Sequence, residues 1–218
     1  MRRRSPWASA TTGRFASVAR RGWRRHTASV NGTDRVIEKQ LEAHLRKTPA
    51  LGEGVYVATG AVVVGDVILG DHSSVWYHAV LRGDINRIAV GHHTNIQDNA
   101  VLHVTQDRPC VVGNWVTIGH GALVHACSIG DETLIGMGAV VLDGAVIGRN
   151  CLIGAGAVVT PKTTIPDGML VLGAPAKPIR LLSAEERQEL RQLAEEYARN
   201  AAYCLAHGLQ MGAPRSAG

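Results

Sequence analysis

A chain of 218 residues with 45% hydrophobic content is long enough for one domain with terminal extensions and rich enough to build a core. Twenty-five glycines against a single phenylalanine argue against a helical bundle and for tight, repeated turns around small aliphatic side chains. The formal charge of +5 does not indicate a nucleic-acid partner: residues 1–30 hold eight arginines and no acid, and without them 15 Lys and Arg face 18 Asp and Glu.

The first element is therefore a leader, residues 1–33. It is Arg-rich, bears Ser and Thr and is acid-free until Asp34, the composition of a mitochondrial transit peptide, which places the protein in the mitochondrial matrix. A disordered basic tail is the alternative, and the location is then cytoplasmic. No apolar run approaches the roughly 20 residues that a transmembrane helix needs. Residues 34–49, including "TDRVIEKQLEAHLRK", have the composition of a short helical lead-in. The four cysteines, Cys110, Cys127, Cys151 and Cys204, form no CxxC pair and suit a reducing compartment.

From Val57 an aliphatic residue recurs every sixth position through Val63, Leu69, Val75 and Leu81, and after a short interruption through Val90, Ile96 and Leu102. A second interruption leads to Val112, Ile118 and Val124. The series slips by one residue to Ile129 and then runs unbroken to Ile165. The position four after each is small or modest in size, and the position one after is often glycine. Six fits neither a helix nor a plain strand. It fits a solenoid in which each hexapeptide is a short strand plus a turn, three closing a triangular coil, with coils stacked about 4.8 Å apart. The pattern resembles the hexapeptide-repeat families and predicts a mainly β fold over residues 50–178, a left-handed parallel β-helix. Residues 183–208 follow as a C-terminal helix with a capping box at Ser183 and Glu186 and an apolar stripe of Leu190, Leu193, Tyr197 and Ala201, and residues 209–218 form a tail.

The period gives residues addresses. With Val90, Ile96 and Leu102 as sides one, two and three of one coil, Val112, Ile118 and Val124 repeat those sides in the next. His103 and His125 then stack on one outer face of side three, one coil apart, whereas His120 lies around a corner on side two. A symmetric trimer brings His103 and His125 of one subunit to His120 of its neighbour, giving three histidines with an open fourth position, the arrangement of a catalytic zinc. His72, His78, His92, His93 and His207 read as ordinary solvated side chains.

"LRGD" at 81–84, "TNIQDNAVLH" at 94–103 and "IGHGALVHACSIGDETLIGMGAVVLDGAVIG" at 118–148 resemble the γ-class carbonic anhydrases, trimeric left-handed β-helix metalloenzymes; "LGAPAKPIR" and the final helix match as well. The resemblance implies Zn2+, with Fe2+ or Co2+ as alternatives, on His103, His120 and His125, and hydration of CO2 to bicarbonate by a metal-bound hydroxide. The metal lowers the pKa of its water from about 15.7 to about 7. It implies that Arg82 and Asp84 tie neighbouring subunits together, with a buried pair across the interface. It also puts Gln97 and Asp98 beside the metal, Gln97 placing the hydroxide or bicarbonate and Asp98 orienting a histidine or bonding a turn amide. Asn95 and Tyr197 are further candidates; asparagine also suits turns, and Tyr197 fits helix packing equally well.

The proton-transfer acids depart from the family's archaeal pattern. Ile85 stands where a glutamate follows RGD there, and the connection "HVTQDRPCV" carries only Asp107. Two rivals follow: a γ-carbonic-anhydrase-like structural subunit of the mitochondrial NADH dehydrogenase with low or no activity, and a hexapeptide acyltransferase using coenzyme A. The trimer is homomeric or shared with paralogues.

Overall fold

A computed structural model of the chain describes residues 32–209. The transit-peptide reading and nearly all of the expected tail lie outside the described residues. Helix α1 spans Gly32–Leu45, a β-solenoid of about seven turns follows, and helix α2 spans Ala184–Ala206.

Short parallel strands stack in three columns, with partners one coil apart. On side two the run is Tyr56–Val57, Ser74–Val75, Asn95–Ile96, Thr117–Ile118, Leu134–Ile135 and Leu152–Ile153. On side three Leu81 aligns with Leu102, Leu102 with Val124, and Val124 with Val141. The recurring aliphatic residues point inward and are almost wholly buried, from Val57 through Leu102 and Ile135 to Ile165, and nearly all the small residues four positions later close the corners of the same core. The burial alternates with outward-facing neighbours because successive side chains on a strand leave opposite faces.

At all three corners the chain turns through left-handed backbone. One carries His72, His93, Trp115, Glu132 and Asn150, all with positive φ, and their amides bond the preceding coil. Non-glycine residues here cost backbone energy, and the side chains they project recover some of it by packing. His72 and His93 stack with centroids 5.0 Å apart, His93 and Trp115 at 3.8 Å, and the Arg191 guanidinium of α2 lies 3.4 Å over the Trp115 ring. Arg191 is held in turn by Glu132 at 2.8 Å and Glu195 at 3.0 Å. The solvated reading of His93 is thus corrected: its ring is clamped between two aromatic neighbours, and burial pushes its pKa down.

Both interruptions of the period lie at one corner. Val80–Val90 is a single strand that turns from side three to side one, with a register shift against Val62–Leu69 that accommodates the longer step. Asn86 within that step donates to the carbonyls of Thr105 and Gln106 in the second interruption, and Gln40 of α1 reaches the Gln106 carbonyl at 3.1 Å. Buried Asp66 anchors this region: Lys47 at 2.7 Å, His44 at 3.0 Å and Arg87 at 3.2 Å converge on it. Burial works to raise its pKa, yet the hydrogen bonds from Lys47 and Arg87 hold it below the usual carboxylate range.

Helix α2 packs along side two. Ser183 accepts from the Glu186 amide while the Glu186 carboxylate accepts from the Ser183 amide, so both bonds of the capping box are present. Leu190, Ala194 and Ala201 are its buried residues, with Leu193 and Tyr197 partly covered.

Candidate metal centre

The strand register places Arg82, His103 and His125 in one column on side three, each beside the next. That column forms a continuous polar chain on an otherwise aliphatic face. Arg82 pairs with Asp84, the Asp84 carboxylate meets His103 Nε2 at 3.0 Å, His103 Nδ1 lies 3.1 Å from His125 Nε2, and His125 Nδ1 lies 2.5 Å from Asp143. Within the chain Arg82 and Asp84, two residues apart on one strand, pair with each other. Asp84 is buried, but Arg82 remains 47% exposed. Burial raises the Asp84 pKa, and the bonds from His103 and Arg82 bring it below the ordinary value; burial also pushes His103 down, opposed by Asp84.

His120 occupies the corner after side two, with its Nδ1 2.7 Å from Asp98. Gln97 and Asn95 are held beneath it. The Gln97 carbonyl accepts from the His120 amide at 3.2 Å, its amide donates to Asn95, and Asn95 donates to Thr117 at 2.9 Å. Both are buried. Gln97 thus fixes the backbone of His120 in addition to facing the groove, and Asn95 supports Gln97 from inside. The Asp98 carboxylate lies against the histidine ring and not on a turn amide.

Beside His120 a groove of about 300 Å3 runs between side two and α2, lined by Gln97, Leu134, Met137, Leu152, Leu193 and Tyr197 among others. Tyr197 also packs edge-on against Trp76 at 5.5 Å, so it serves helix packing and the groove together. Burial, with the Asp98 charge second, raises its pKa and keeps the phenol protonated.

The donor chemistry suits a borderline divalent ion. Each histidine has one ring nitrogen on its own carboxylate: Asp84 for His103, Asp98 for His120, Asp143 for His125. Where those nitrogens donate, the remaining ones, His103 Nδ1, His120 Nε2 and His125 Nε2, carry lone pairs. Two such nitrogens facing each other at 3.1 Å can share a bridging proton or a metal ion. The separation is close to the roughly 3.4 Å edge of a tetrahedron of zinc–nitrogen bonds. Among the described residues of one chain, no three His, Cys, Asp or Glu side chains converge on one point.

Residues 126–161 match the family model described as bacterial transferase hexapeptide (six repeats). The chain is 48% identical over 149 residues to a protein of Methanocaldococcus jannaschii named "Probable carbonic anhydrase", covering 68% of this chain and 94% of that one. The chain belongs to the γ-carbonic anhydrase family. Gamma carbonic anhydrase 2, mitochondrial, of Arabidopsis thaliana is 40% identical over 173 residues, 74% of this chain, although the chain spans only 62% of that relative's length. Among solved structures, a hexapeptide transferase family protein of Anaplasma phagocytophilum superposes with a TM-score of 0.68 at 39% identity, covering 70% of this chain and 90% of that one.

Asp143 was not among the residues singled out from the sequence. Its signal there is a distance of 18 residues from His125, one full coil, but "LDGA" reads first as a turn.

Proposed function

We propose that the protein is a γ-class carbonic anhydrase catalysing the reversible hydration of CO2, with His103 and His125 of one subunit and His120 of a neighbour holding the metal in a trimer. Zinc is the first choice, with Fe2+ or Co2+ as alternatives. The observation that carries this reading is the set of three histidines, each backed by its own carboxylate and each with one ring nitrogen left for an ion. A bound metal of this kind acidifies a water ligand and so supplies a nucleophile near neutral pH.

The chain's own residues do the rest. Asp84, Asp98 and Asp143 set the ring orientations, Arg82 balances Asp84, and Gln97 steadies His120. The largely apolar groove beside His120 accommodates an uncharged substrate, with Tyr197 on its wall and Asp98 next to His120. One chain alone brings only two of the three histidines together, which supports a shared site. Mitochondrial residence is supported by the leader's composition and by the names of the Arabidopsis relatives.

The decisive experiment is metal analysis of the full-length protein joined to stopped-flow CO2 hydration. One metal per chain and hydration activity are expected, both lost in His120→Ala. Absence of stoichiometric metal, with His120→Ala unchanged, refutes the site. Bound coenzyme A without metal moves the reading to an acyltransferase. A second reading, a structural subunit of the respiratory NADH dehydrogenase, is favoured by Ile85, which packs partly buried against the core and offers no proton-transfer group. Metal without turnover, with comigration of the protein and that complex on a native gel, supports it.

A further inference from the structure

We infer that Asp143 is a positioning residue of the metal centre, fixing the His125 ring so that Nε2 faces the ion; this rests on the metal reading proposed above. Five aspartates of the solenoid stand immediately before the left-handed residue of a turn: Asp71, Asp98, Asp131, Asp143 and Asp167. Three bond the coil before them through a backbone amide, Asp71 to Glu53 at 2.9 Å, Asp131 to Asn114 at 2.8 Å and Asp167 to Arg149 at 3.0 Å. This is the ordinary work of a turn aspartate. Asp98 and Asp143 instead turn their carboxylates onto a histidine ring at 2.7 and 2.5 Å, whereas Asp71 keeps its amide bond and lies 3.5 Å from His92 Nδ1.

The one-residue slip of the repeat explains how Asp143 comes to do so. After Val124 the left-handed residue arrives two positions on, at Ala126 with φ 45°, whereas after Val141 and Val159 it arrives three positions on, at Gly144 and Lys162. The shortened turn puts His125 directly before the left-handed residue, in the place Asp143 holds one coil later, and the Gly144 amide bonds the Ala126 carbonyl at 2.8 Å to keep the two turns aligned. The histidine ring and the carboxylate are therefore stacked by the coil repeat, and an alanine accepts a left-handed conformation to permit it. With Nδ1–H donated to Asp143, the neutral ring exposes its lone pair at Nε2, the atom facing His103. Asp143 is 44% exposed, so its charge is kept at little desolvation cost.

The test compares full-length Asp143→Ala, Asp143→Asn and His125→Ala with the parent, reading the zinc dissociation constant by chelator competition, the Co2+ absorption spectrum, and the thermal midpoint of metal-free protein. Loss of a carboxylate behind a ligating histidine weakens metal binding about 10–100-fold. Asp143→Ala is expected to show that loss and an altered Co2+ spectrum at an unchanged metal-free midpoint, and Asp143→Asn a smaller loss, because its amide oxygen still accepts from Nδ1. Zinc affinity of Asp143→Ala within twofold of the parent, with zinc lost in His125→Ala, overturns the inference and leaves the metal site standing. Parent-like zinc binding in His125→Ala removes the metal reading and this inference together.

Discussion

Two stretches of the solenoid follow the same six-residue plan and use it differently. From Ile129 to Ile165 the period never breaks, and the coils differ from one another mainly in which small aliphatic residue fills each slot. From Leu81 to Val124 the spacing lengthens twice, and it shortens once on the step to Ile129. That region carries Arg82, Asp84, Asn95, Gln97, Asp98, His103, His120 and His125. A stack of identical turns leaves every outward position equivalent, so a site needs departures that single positions out. The long steps supply Asp84 and the braced loop at 104–109; the short one aims His125.

The regular stretch should be the one that loses most stability when its core is cut. Ile153 is fully buried on side two between Ile135 and Val171, and Ile153→Ala removes three carbons from a prism too narrow to collapse around the gap. A loss of about 2–5 kcal/mol is expected in urea unfolding of the metal-free protein. A loss below 1 kcal/mol would show that the regular coils are less tightly packed than those that carry the site.

Close stacking makes the glycines of this stretch sensitive next. A Cβ on Gly136 would stand 2.5–2.7 Å from backbone atoms of Ile153, Gly154 and Ala155 in the following coil, and backbone cannot swing aside as a side chain can. Gly136→Ala should therefore destabilise by about 1–3 kcal/mol, measured as a fall in the urea midpoint at unchanged slope. An unchanged midpoint would mean that adjacent coils can part by several tenths of an ångström at little cost.

How far the sequence revealed these two regions depends on distance along the chain. The addresses of His103, His125 and His120 were legible because a fixed period converts residue number into a side and a coil. The strand register bears this out, with His103 beside His125, and puts Arg82 beside His103. Asp143 was hidden behind the slip, which breaks the conversion just where it was needed. The stack of His72, His93 and Trp115 was hidden for a different reason. Those residues sit at turn positions, 21 and 22 apart, and a pattern built on inward-facing aliphatics is silent about what projects from the corners. The Asp66 cluster draws its partners from α1, the segment after it and the first long step, and no local spacing announces that convergence.

The corner stack predicts an acid-sensitive seam between solenoid and α2, away from the metal centre. Burial, then the charges of His72, His92 and Arg191, push His93 below the usual histidine value, with Asp71 opposing; Glu195 and Arg199 of α2 line the same face. The folded chain consequently binds fewer protons here than the unfolded chain. Stability from this group is full above the unfolded value of about 6.5 and is lost as pH falls through it, levelling off below the folded value. The thermal midpoint should drop between pH 7.5 and 5. In His93→Asn, which keeps a residue tolerant of left-handed backbone, the drop should be smaller. An identical pH profile in parent and variant would assign the acid sensitivity to other groups.

The smallest effect separates the two kinds of turn aspartate. Asp131 in the regular stretch accepts from the Asn114 amide at 2.8 Å and from its side chain at 3.3 Å, so Asp131→Ala strands one backbone donor at a partly exposed corner. The cost should be about 1 kcal/mol, because water replaces part of the lost bond. Zinc affinity should not change, since Asp131 touches no candidate ligand. Asp143→Ala should give the converse result, unchanged metal-free stability with weakened zinc binding. The two variants remove the same atoms from the same place in a turn, one in each stretch's service, so a crossed pattern of stability and affinity would tie the difference to the histidine ring and not to the turn. If both variants lose only stability, the shortened turn after Val124 is a packing adjustment and His125 is aimed by His103 and Asp84 alone.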